Sequence, residues 1–80
     1  MNAANNNAAS NSSTFRFYGT RAAVAAWAKL LKSEIGAMIG RPVLRNGSWT
    51  VDALMTAEQR AAAMPAWRNG WNDRISFATI

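Results

Sequence analysis

Eighty residues leave room for one domain, since a typical domain takes roughly 100–200. The chain has no cysteine and no histidine, which removes disulfides, thiolate chemistry, the commonest metal ligand and the usual general base. Nine Lys and Arg against four Asp and Glu give a net charge of +5, a balance that favours nucleic acid, an acidic protein face or anionic lipid as partner.

Residues 1–13 are almost all Asn, Ala and Ser, with no charge and no aromatic ring. Such a segment cannot bury enough apolar area to offset the entropy of ordering it, so it reads as a disordered tail ahead of a single domain over 14–80. It has neither the basic start nor the apolar centre of a secretory signal.

Phe15, Arg16, Phe17 and Tyr18 alternate apolar and polar, which predicts a short strand with both phenylalanines inward and Arg16 and Tyr18 on the other face. Gly19 breaks that run, and Thr20 is placed to cap a helix. Val24, Trp27, Leu31, Ile35 and Met38 recur at spacings of three and four. They define one apolar stripe and a helix over about residues 20–39, with Gly40 and Pro42 as its stop. Ala22 to Ile39 is the most apolar stretch, yet it carries Lys29, Lys32 and Glu34, so it does not read as a membrane span. A soluble, cytoplasmic protein is expected.

Asn46-Gly47 marks a tight turn between Val43-Leu44 and Trp49-Thr50-Val51. A two-residue loop pairs Leu44 with Trp49 and leaves Val43, Arg45, Ser48 and Thr50 on the opposite face. Asp52 then reads as the cap of a turn after the hairpin. Thr56 to Gln59 has the pattern of a capping box ahead of an alanine-rich helix, with a break or kink at Met64-Pro65. Beyond it, either a further helical turn sets Trp67 and Trp71 on one side or Asn69-Gly70 makes a turn. Ile75 to Ile80 alternates like a final strand.

The resulting order, β-α-β-β-α-β, is that of a small α+β two-layer sandwich of the ferredoxin-like kind. The alternative is a β-α-β-β-α unit that dimerises by lending its last strand to a partner's sheet. A chain this short sits near the lower limit of independent folding. Its four tryptophans, Trp27, Trp49, Trp67 and Trp71, are therefore expected in the core, or between two subunits of a homodimer.

The inventory for catalysis is thin. Glu34, Asp52, Glu58 and Asp73 are scattered over four elements and offer no carboxylate pair, no oxygen cluster for a hard metal, and no partner that activates a serine. No enzyme, no metal and no cofactor is expected. The leading reading is a small basic binding module that engages nucleic acid or an acidic nucleoprotein surface through Arg16, Tyr18, Arg21, Lys29, Lys32, Arg41 and Arg45. The competing reading is an inhibitor or regulator, of the kind phages and mobile elements use, that occludes a larger host protein. Trp67, Arg68, Trp71 and Arg74 are its anchors, because Trp and Arg dominate interface hot spots. An amphipathic α-helix lying on an anionic membrane ranks third.

Overall fold

A computed structural model describes residues 12–80. The uncharged tail expected over 1–13 lies outside the described residues as far as residue 11, and Ser13 already belongs to the first strand. The elements are β1 (Ser13–Gly19), α1 (Arg21–Leu30), β2 (Met38–Ile39), β3 (Val43–Arg45), β4 (Ser48–Met55), α2 (Ala57–Arg68) and β5 (Ser76–Thr79).

Thr20 caps α1 as its side chain suggests, with Oγ1 accepting from the Ala23 amide at 3.2 Å. The helix widens into a π turn over Leu31–Ile35 and stops at Gly36, whose φ of 77° is left-handed. The amides of Gly36 and Ala37 both donate to Leu31 O. The helix therefore ends several residues before the expected 39, and Gly36 rather than Gly40 terminates it. Val24, Trp27 and Leu31 of the stripe are buried, but Met38 lies beyond the stop, on β2, and is 71% exposed. A run such as Ile-Gly-Ala-Met-Ile fits either period, and in sequence it simply prolongs the strong apolar stripe before it.

The hairpin forms as read. Asn46 (φ 51°) and Gly47 (φ 85°) supply the two positive dihedrals of the turn, and Leu44 faces Trp49. Its second strand runs further than expected, to Met55, so Asp52 is a mid-strand residue and not a turn cap. Thr56 and Gln59 form the capping box with bonds of 3.0 and 3.1 Å. Gln59 Nε2 also donates to Gly36 O at 3.1 Å, tying the start of α2 to the end of α1. Of the break or kink expected at Met64-Pro65, the break does not occur: α2 continues through Pro65 to Arg68. Proline removes one amide bond there. The helix is held on past it by Trp67, whose Nε1 donates to Ile75 O at 2.9 Å and whose ring meets Phe77 edge-on. A turn at Asn69-Gly70 and a short 3-10 turn, Trp71–Asp73, follow.

The sheet is wholly antiparallel, in the order β2-β4-β1-β5, with β3 also paired to β4. Five strands stand where four were expected. β2 and β3 lie along the same edge of β4. Gly40 N–H donates to Asp52 O, and Val43 sits opposite Thr50. Two residues, Arg41 and Pro42, therefore face only Val51, which makes a bulge in that edge. β5 pairs with β1 of its own chain.

Both helices cover one face of the sheet. Phe15, Phe17, Val51, Ala53 and Met55 point to that face and pack with Ala23, Val24, Trp27, Leu31, Ala63 and Ile75. Trp27 is fully buried between Phe17 and Trp71, at ring distances of 5.6 and 5.2 Å. Trp49, Trp67 and Trp71 are partly buried against the same cluster, in keeping with tryptophan as core material in a very small domain. No helix of the described residues is long and apolar enough to cross a membrane.

Candidate functional site

Strand alternation sends every second residue to the face that no helix covers. On β1 these are Thr14, Arg16 and Tyr18. On β4 they are Ser48, Thr50, Asp52 and Leu54, and on the hairpin edge Val43 and Arg45. Phe15, Phe17 and Trp49 take the opposite, helix-covered side.

At the centre of the open face Arg16 and Asp52 sit directly across from one another and form a two-pronged pair. Nε donates to Oδ1 at 2.7 Å and Nη2 to Oδ2 at 2.9 Å. This fork geometry is the strong form of an arginine–carboxylate contact. The guanidinium's hydrogen bonds hold the Asp52 carboxyl below the usual carboxylate range, aided by the charges of Arg16 and Arg45. In return Arg16 is raised further above its ordinary value, chiefly by the hydrogen bond to Asp52, with Tyr18 beside the same guanidinium contributing less.

Towards the hairpin end, Arg45 Nε donates to Thr50 Oγ1 at 3.2 Å, and that hydroxyl donates to Val43 O at 3.0 Å. Thr50 is only 1% exposed although it lies on the open face, so these contacts close over it. The result is a connected polar surface of Asp52, Arg16, Tyr18, Thr50 and Arg45. Arg16 grips the Asp52 carboxylate and Arg45 bears on it through its charge alone, and among the described residues Asp52 is the acid that the strands themselves place on that face.

Of the seven residues read as a basic surface, Arg16, Tyr18 and Arg45 come together here. Arg21 opens α1 at the same end of the sheet, its guanidinium 5.1 Å over the Trp49 ring. Arg41 is exposed on the bulge of the edge strand. Lys29 and Lys32 are exposed on the last turns of the first helical segment, in the layer behind the sheet, and do not join the face.

The second group divides differently. Trp67 and Trp71 direct their rings to Phe77 and Trp27, and Arg74 lies 4.5 Å over Trp71. Arg68 is exposed in the last turn of α2. Beside Tyr18, where the Asn72–Ser76 segment meets the end of β1 and the start of β4, lies an open cleft of about 240 Å³. Gly19 makes that meeting possible, because a Cβ there would sit 2.7 Å from Arg74 O. Sequence reasoning missed Asn72, Asp73 and Ser76 as lining residues. Alternation in the final strand could have placed Ser76 on the Tyr18 face, but nothing local signals where a turn near Gly70 will fold back.

Comparison with protein-family models, with curated proteins and with solved structures gave no match.

Proposed function

We propose that the protein is a non-catalytic binding module whose open sheet face, at its hairpin end, engages nucleic acid or an acidic nucleoprotein surface. The observation that carries this reading is the composition of that face. Its strands present Arg16, Arg45 and a phenol, and the acid they carry among the described residues, Asp52, is held by Arg16, while Asp73 borders the face from the adjoining cleft. Guanidiniums supply phosphate contacts, and an aromatic ring on an open sheet supplies a platform for a base. The same reading takes β2 and β3 as one bulged edge strand, which gives a ferredoxin-like sandwich with both helices behind the binding face.

The test is retardation of single-stranded oligonucleotides between about 50 and 200 mM salt, where phosphate-driven affinity falls steeply. Arg45→Ala is expected to lower the salt slope by about 1, and Tyr18→Ala to weaken binding by about 1–3 kcal/mol, the range for one stacked base. Binding that is absent at low salt, or indifferent to salt, counts against the reading. The occluding-inhibitor alternative draws less support, because Trp67 and Trp71, its intended anchors, have their rings engaged by Phe77 and Trp27.

A further inference from the structure

The cleft beside Tyr18 differs in character from the rest of the face. It is built from three separate stretches of chain: the end of β1, the start of β4 and the Asn72–Ser76 segment. Its polar side chains include Ser48, Asn72, Asp73 and Ser76, none of which makes a side-chain hydrogen bond to another described residue. Asp73 has no ion-pair partner among the described residues either. Its neighbour Arg74 lies over the Trp71 ring, and the ion pair formed is Arg16–Asp52.

We propose that this cleft receives one unpaired base of a single-stranded nucleic acid and that Asp73 makes guanine the preferred base. The inference rests on the nucleic-acid reading above. A volume of about 240 Å³ is below the roughly 300–1,000 Å³ of sites that enclose a whole small molecule, so it suits one flat unit of a longer strand. A carboxylate is an acceptor only, and it repels a phosphate. The bound group is therefore a base and not the backbone. Guanine carries two donors side by side, N1–H and the N2 amine, which match the two oxygens of a carboxylate. Adenine and cytosine place a ring acceptor beside their amine, and thymine and uracil flank N3–H with two carbonyls. Each of these sets at least one acceptor against Asp73. Tyr18 lines the same cleft and offers the stacking surface. Arg45, bonded to Thr50 directly across from Tyr18, is the cation for a flanking phosphate.

The experiment is fluorescence anisotropy at low salt with the full chain. The probe is an oligothymidine of about ten nucleotides carrying one central deoxyguanosine, deoxyinosine or deoxyadenosine. Guanine is expected to bind about fivefold tighter than adenine, the low end for a two-pronged base contact. Inosine, lacking the N2 amine, falls between them. Asp73→Asn, checked by circular dichroism for an unchanged melt, is expected to collapse the guanine-to-adenine ratio while plain oligothymidine still binds. Equal affinities for all three probes overturn the base subsite and leave the nucleic-acid reading standing. Failure to bind any probe overturns both. A guanine preference that survives Asp73→Asn overturns the role of that carboxylate, and free guanosine monophosphate that competes as well as the oligonucleotide overturns the placement within a longer strand.

Discussion

An alanine at position 19 brings a methyl group to 2.7 Å from Arg74 O and 3.1 Å from Ile75 Cδ1. The first of these neighbours is backbone and cannot rotate away, so either β1 or the Asn72–Ser76 segment has to shift. Overpacking of this kind costs typically about 1–3 kcal/mol. Gly40→Ala is the matched control, because a Cβ there meets Asp52 O at an ordinary 3.6 Å. Both substitutions reduce the freedom of the unfolded chain by a similar amount, about 0.4–1 kcal/mol, and that contribution cancels in the comparison. The difference between the two variants is then the contact alone. At about 4–8 °C per kcal/mol for a domain of this size, Gly19→Ala should melt well below Gly40→Ala by far-ultraviolet circular dichroism. Amide shifts in the Gly19→Ala variant should concentrate in Asn72–Ser76. Two variants that melt within about 2 °C of each other would refute the close approach on which the cleft depends.

The Arg16–Asp52 pair sets an acid limit. The Asp52 carboxyl lies below its ordinary value when folded, so its contribution is present above about pH 4 and disappears as pH falls through the folded value. Thermal melts should show a loss of stability in acid that is smaller in Asp52→Asn, and a loss of equal size in both proteins would contradict the pairing. Phe17→Ala empties a position that is fully buried beside Trp27 and Phe77, and a cost of about 3–5 kcal/mol should leave little folded protein by near-ultraviolet circular dichroism. Trp27→Phe should cost much less in chemical denaturation. The indole Nε1 is buried with no hydrogen-bond partner among the described residues, and removing such a donor recovers about 1–3 kcal/mol against the lost ring contacts. Thr56→Ala removes one half of the capping box and should lower stability by about 1 kcal/mol in the same assay, with Thr56→Ser restoring most of it.

Local chemistry made much of this architecture legible in the residues themselves. The alternation of Phe15 to Tyr18, the Thr20 cap, the Asn46-Gly47 turn with Leu44 opposite Trp49, and the Thr56–Gln59 box each depend on neighbours a few positions apart. What stayed hidden depended on partners far along the chain. Asp52 looked like a cap because its ion-pair partner is 36 positions away. Residues 36–39 looked helical because only pairing with β4 makes Met38 and Ile39 extended. Pro65 looked like a break because the packing of Trp67 against Ile75 and Phe77 cannot be read from its surroundings in the chain. The candidate face was legible to the same degree. Arg16, Tyr18 and Arg45 follow from strand parity, whereas the cleft is made by a turn that returns from the far end of α2.

The bulge at Arg41 and Pro42 bears on the protein's behaviour when crowded. A straight outer rail of peptide groups invites a second molecule to zip alongside it and begin a fibre. Here the rail is cut into lengths of two and three residues, and a proline that offers no N–H stands beside a cation at the cut. Any incoming strand that matched the register of one piece would be out of step with the other. The sheet therefore leaves one face uncovered beside an edge that offers an incoming strand no continuous register.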